Sequence, residues 1–162
     1  MIKIIRIATL AIGVALPAPL VAQDFDVGMD AAIVGDYATA LDNWRPLAEQ
    51  GNAMAQLNLG LFYDTGQGVL QDYAEAAHWY RLSAEQGTAR AQYNLGRMYD
   101  SGRGVLKSLV LAHMWHNIAS ANGNDGGVTN RNRIENQMTQ DQIAEAQALA
   151  RVCMSSGYQD CE

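Results

Sequence analysis

Residues 53–88 read AMAQLNLGLFYDTGQGVLQDYAEAAHWYRLSAEQGT, and residues 89–124 read ARAQYNLGRMYDSGRGVLKSLVLAHMWHNIASANGN. Fifteen of these 36 positions coincide without a gap, where unrelated sequences of ordinary composition would share roughly two or three. A recurring unit of this length is one supersecondary piece that cannot bury its apolar face alone. Stacked copies bury those faces against one another and form a solenoid, which presents an extended binding surface.

The unit divides into two helical segments joined by a glycine loop. Ala55, Leu59 and Tyr63 fall at i, i+4 and i+8, one face of a helix, and Ala91, Leu95 and Tyr99 repeat the stripe. Gly60 and Gly96 lie inside these helices, where glycine costs about 1 kcal/mol against alanine; the expectation is that they let a neighbouring helix come close. Gly66 and Gly102 then stop the helix as left-handed caps. Asp72 opens the second segment with Glu75 three residues on, a capping-box spacing with Asp in the Ser/Thr position. That segment carries Ala76, Trp79, Tyr80 and Ala84 as its stripe, and Gly87, matched by Gly51 and Gly123, ends it.

The pattern continues outward in both directions. Residues 36–40 and 47–51 align with 72–76 and 83–87, so a degenerate copy precedes the two clear ones. Its first helix is short, from about Phe25 to Val34, and Pro46 removes the bond to the carbonyl of Asp42, predicting an interrupted, kinked second helix. Beyond residue 124 a last pair, residues 128–137 and 140–154, leaves the motif, with Thr139 and Gln142 forming a capping box. Divergent ends suit a solenoid, whose terminal faces meet water. The organisation read from the chain is a signal peptide over 1–22, a degenerate N-terminal repeat or cap over 23–52, repeats over 53–88 and 89–124, and C-terminal capping helices with a disulfide tail over 125–162.

The motif AxxxLGxxYxxGxGVxxDxxxAxxWYxxAAxxG is carried by Ala55, Leu59, Gly60, Tyr63, Gly66, Gly68, Val69, Asp72, Ala76, Trp79, Tyr80, Ala84 and Gly87. The next copy keeps Ala91, Leu95, Gly96, Tyr99, Gly102, Gly104, Val105, Ala112, Trp115 and Gly123, and departs at Ser108, His116 and Ser120. On these residues the chain resembles the Sel-one-like repeats, relatives of the tetratricopeptide repeats. The resemblance covers most of residues 36–151. It implies an all-α, right-handed solenoid of about four antiparallel helix pairs and an adaptor or scaffold role, with no partner named.

The first 22 residues stand apart from the repeats. Lys3 and Arg6 give a basic start, residues 7–16 are apolar, and Pro17 and Pro19 precede the small Ala22. This is the pattern of a cleaved secretory signal; the apolar stretch falls short of the roughly 20 residues of a spanning helix. Loss of those two cations takes the formal charge from −6 to −8, which argues against nucleic acid as a partner. The only cysteines, Cys153 and Cys161, sit near the C-terminus. In an exported chain they read as one disulfide tying back the tail. Seven intervening residues fit neither a redox CxxC nor a zinc pair.

Several constellations reduce to packing. The GxG pairs at 66/68 and 102/104 follow helices and recur with the repeat, so they are turns and not phosphate loops. His113 and His116 share a helix face at i, i+3, with His78 a repeat earlier, but no acidic or cysteine ligand is near in sequence, and no metal or other cofactor is expected. Trp44, Trp79 and Trp115 are spaced as inter-helix packing residues. No GxSxG, SxxK or HExxH occurs, so the chain reads as a non-enzyme.

The first helix of each unit has a second face, off the Ala-Leu-Tyr stripe. Met54, Leu57 or Asn58, Leu61 and Asp64 lie on it, followed one period later by Arg90, Tyr93 or Asn94, Arg97 and Asp100. In related tetratricopeptide solenoids this face lines a concave groove, and the asparagine matching Asn58 and Asn94 can hold a peptide backbone; an amide offers both donor and acceptor. The alternative is that these asparagines bond within the solenoid. The peptide-binding candidates are therefore Asn58, Leu61, Arg90, Tyr93, Asn94 and Arg97.

The function read from the sequence is non-catalytic protein or peptide binding by an exported, periplasmic or secreted, monomeric adaptor or scaffold. A first rival, from similar proteins, is a periplasmic regulator restraining a membrane sensor kinase. A second is weak β-lactam binding or hydrolysis, linked to cysteine-rich relatives; those carry a disulfide in every repeat, whereas residues 53–124 here contain no cysteine.

Overall fold

The computed structural model describes residues 24–161, within which eight helices and no strand occur. The expected signal peptide lies outside the described residues. The helices are α1 (Phe25–Ile33), α2 (Tyr37–Glu49), α3 (Ala53–Thr65), α4 (Tyr73–Ala84), α5 (Ala89–Ser101), α6 (Leu109–Ala121), α7 (Asp125–Glu135) and α8 (Gln140–Ser155). They pair as α1/α2, α3/α4 and α5/α6, and each second helix packs on the first helix of the next unit. The chain is an all-α solenoid of helix pairs.

The start points show how strictly the period is kept. α3, α5 and α7 begin 36 residues apart, as do α2, α4 and α6. The caps fix these starts. Asp36 and Asp72 accept from Thr39 N and Glu75 N, Ser108 from Leu111 N, and Asn52 and Asn124 from Ala55 N and Gly127 N. Each side chain satisfies an amide that the helix leaves without a partner. Gly66 and Gly102 close α3 and α5 at φ 75° and 71°, in the left-handed region.

The helix-internal glycines are close-approach sites. A Cβ at Gly60 would lie 2.5 Å from the Tyr80 ring, and one at Gly96 would lie 2.9 Å from the His116 ring. An aromatic ring of the second helix thus lies on the bare backbone of the first, which offsets the helix-propensity cost of glycine. The core divides in two. One cluster, including Trp44, Leu59 and Phe62, joins α1 to α4; the other, including Tyr80, Leu95, Trp115 and Ile118, runs on to Cys153 and Cys161.

Three features differ from the sequence reading. α2 runs unbroken through Pro46, which sits in its last turn; only one backbone bond is lost there, and Pro46 O still accepts from Gln50 N. α7 starts at Asp125, three residues early, because Gly127 is a contact and not a break: a Cβ there would lie 2.6 Å from His116 O on α6. Finally, α8 packs chiefly on α6 and not on α7, so the last two helices are not a tight hairpin of the repeat type. Cys153 and Cys161 form the expected disulfide, with both residues buried. Among the described residues no helix is long and apolar enough to cross a membrane.

Candidate functional site

The repeat period places like side chains along the first helices. Asn58, Asn94 and Asn130 are equivalent; so are Leu61, Arg97 and Arg133, and Asp64 and Asp100. Two hollows open among these positions. The larger, about 270 Å³, lies between α1 and α3 and reaches the first turn of α5. Its walls are apolar, including Met29, Ile33, Trp44 and Phe62, and its polar edge holds Asn58, Gln67 and Arg90. The smaller, about 20 Å³, is lined by Asp64, Asn94, Arg97, Met98, Ser101 and Arg103.

Five of the six candidate residues fall on these hollows. Asn58, Leu61 and Arg90 line the larger, and Asn94 and Arg97 line the smaller. Tyr93 lines neither. Its ring lies 5.4 Å from that of His116, and its hydroxyl accepts from Asn130 Nδ2 at 3.2 Å, so it packs the junction with α7.

The polar atoms facing the larger groove are unevenly committed. Gln67 Nε2 donates to the Tyr37 hydroxyl at 3.0 Å. Asn58 lines this groove, and its Nδ2 is buried without a partner. Arg90 is exposed at the rim. Asp64 and Arg97 share the smaller hollow, one repeat before the Asp100–Arg133 ion pair at the same offset. Burial and then the Asp64 carboxylate raise the Tyr80 phenol above its ordinary range, while Arg97 and Arg90 pull the other way. Both guanidinium fields therefore reach this wall of the solenoid.

The α1 wall is what sequence reasoning missed. Residues 23–52 read as a degenerate cap, yet Met29, Ala32, Ile33, Tyr37 and Trp44 build half of the larger groove. A signal was present: Ile33 and Val34 are aliphatic residues at a helix end, and both are highly exposed.

The three histidines lie in different surroundings. His113 and His116 are fully buried, and His78 is exposed. His113 Nε2 meets Glu135 Oε1 at 2.8 Å, an acid distant in sequence that occupies the repeat position of Tyr63 and Tyr99. Neither His116 nitrogen has a partner, and burial pushes its imidazole down to about 4. Among the described residues no cluster of three or more His, Cys, Asp or Glu could hold a metal. Trp79 and Trp115 are buried in the core, and Trp44 donates through Nε1 to Phe25 O at 3.1 Å.

The Sel1 repeat family model matches residues 53–88 and 89–124. Among solved structures, a protective antigen present in uropathogenic Escherichia coli strains, displaying an SLR fold, is 32% identical with a TM-score of 0.77 over 82% of this chain. The chain spans 30% of that antigen's length. A Sel1 repeat protein from Oxalobacter formigenes is 34% identical with a TM-score of 0.62, over 67% of this chain and 85% of that one. None of the curated proteins matches.

Proposed function

The chain belongs to the Sel1 repeat family, whose members are generally protein-binding scaffolds, and from that premise we propose that it is a non-catalytic peptide-binding adaptor of the periplasm. The observation that carries the reading is the groove between α1 and α3, apolar along its walls, with the unpartnered Asn58 Nδ2 and the exposed Arg90 at its edge. An extended segment with apolar side chains fills such walls, and its acceptor oxygens meet Arg90 at the rim and Asn58 once its buried amide turns toward the groove. Asn94 and Arg97 extend the track along α5. The Cys153–Cys161 disulfide supports an oxidising compartment. Export then predicts a soluble monomer whose intact mass begins near Gln23.

A photoreactive residue at position 61 should cross-link a periplasmic protein, while the same residue at 78, on exposed α4 surface, should not. Equal capture at both positions would remove the groove as the site. Replacing Asn94 and Arg97 together by alanine should weaken the captured partner by about tenfold or more, with helical circular dichroism and melting unchanged. Nitrocefin turnover by the purified protein would replace this reading with the enzymatic one.

A further inference from the structure

The tail after α8 does more than end the chain. Residue 158 stands 72 residues after Gln86 and 36 after Asn122, so Tyr158 continues a side-chain ladder of the repeats. In the first rung Gln86 Nε2 donates to Gln56 Oε1 at 2.7 Å, and Gln56 Nε2 donates to Ala48 O at 3.0 Å. In the second, Asn122 Nδ2 donates to Gln92 Oε1 at 2.9 Å, and Gln92 Nε2 donates to Ala84 O at 3.0 Å. Among the described residues, only the second rung gains a side chain from the tail. The Tyr158 hydroxyl accepts from Asn122 Nδ2 at 2.8 Å and donates to its Oδ1 at 3.1 Å. Its ring covers Gly87, where a Cβ would lie 3.1 Å from Tyr158 Cε2.

Tyr158 reaches this place in an unfavourable backbone state. Its φ of 68° is the one positive value among the described non-glycine residues, a conformation that disfavours a bulky side chain. The tail holds it there. The Cys153–Cys161 bond closes the turn, Tyr158 N donates to Cys153 O at 2.8 Å, and Ser156 Oγ accepts from Gln159 N and Asp160 N.

The turn that Tyr158 covers begins α5, and α5 has the poorest cap of its class. Asn52 and Asn124 cap α3 and α7 through their side chains, whereas Thr88 at the equivalent position makes no side-chain cap bond. Arg90 projects from that first turn into the groove. We propose that the disulfide-held tail is a latch, in which Tyr158 substitutes for the missing cap and orders the turn that presents Arg90. Tyr158 is thus a positioning residue. Its importance for binding rests on the groove reading above; the ordering itself does not.

Amide hydrogen exchange of the ligand-free full chain tests the ordering directly. Gln92 N donates to Thr88 O and Gln56 N donates to Asn52 O, both at 3.0 Å, so the second amide is an internal control for the first. Tyr158→Ala, and separately reduction with dithiothreitol, should speed Gln92 exchange by about tenfold, the scale of a lost cap, and leave Gln56 unchanged. Thr88→Asn should restore protection of Gln92 in either released state, which a merely global loss of stability would not allow. Unchanged Gln92 exchange on release, equal acceleration at both amides, or no rescue by Thr88→Asn each overturn the latch. If exchange responds as expected but positions 61 and 78 capture alike, the latch stands and the groove reading fails.

Discussion

His116 stands where the preceding repeat has Tyr80, and the two rings use the same device, lying on a helix glycine. The imidazole is fully buried with neither nitrogen bonded. Burial is the first cause of its depressed value of about 4; Arg133, His113 and Arg97 add to it, and Asp100 opposes them. A folded value below the unfolded one means that the unfolded chain binds the proton more readily. The stability held above about pH 6.5 is therefore lost as pH falls towards 4, by about 3 kcal/mol in all. His116→Tyr restores the repeat residue and removes the titration. Urea unfolding between pH 4 and 7 should show the wild type losing stability on acidification faster than the variant by about this amount. Parallel pH profiles would show that His116 does not couple to folding. The periodic alignment exposed His116 as a substitution for Tyr80, and hence its packing role. It did not show Glu135 beside His113, because that contact forms only when α7 docks on α6.

Among elements, the loops between first and second helices depend on two glycines with different tasks. Gly102 caps α5 in the left-handed region. Gly104, at φ 70°, also allows the loop to touch the preceding unit: a Cβ there would collide with the Tyr73 carbonyl at the start of α4. Gly123, after α6, has φ 91° and nothing within 4 Å of a Cβ. Both alanine substitutions meet backbone strain of about 1–2 kcal/mol, but only Gly104→Ala adds a backbone collision between units. Chemical denaturation should find Gly123→Ala costing about 1–2 kcal/mol and Gly104→Ala clearly more, about 3 kcal/mol or above. Equal costs would mean the loop shifts away freely. At this scale the sequence was informative where chemistry is local. The caps at Asp72 and Thr139, the glycine stops and the 36-residue spacing predicted most helix starts, whereas the Asn52, Ser108 and Asn124 caps emerge only in the structure. It misled where a residue type has two uses. The seventh helix was placed from residue 128, yet it starts at Asp125, and Gly126 and Gly127 bring it against Tyr93 and α6. Pro46 read as an interruption, yet a proline in a last turn costs little pairing. The candidate groove was half legible for the same reason: its α3 and α5 residues follow the repeat, and its α1 wall does not.

The whole molecule behaves as a one-dimensional stack, in which each unit is stabilised by its neighbours and the ends are weakest. The two ends are finished differently. α1 packs on α2 and leaves Val27, Ile33 and Val34 exposed. At the other end α8 lies against α6, and the disulfide draws Cys161 back into the core cluster that contains Trp115 and Ile118. The closed loop is short, with a sequence separation of 8, so the chain-entropy relation gives a stabilisation of about 2–3 kcal/mol. A local tether of this kind acts on its own end of the stack. Reduction should therefore speed amide exchange from Gln140 to Cys161 and, through Tyr158, in the first turn of α5, while the remainder of α3 to α6 stays protected. Exchange in α1 and α2 should not respond, because α1 packs chiefly on α2 and α8 chiefly on α6. Uniform acceleration along the chain would show that the units unfold as one block, and two free thiols in the native protein, detected by alkylation and mass spectrometry, would remove the tether altogether.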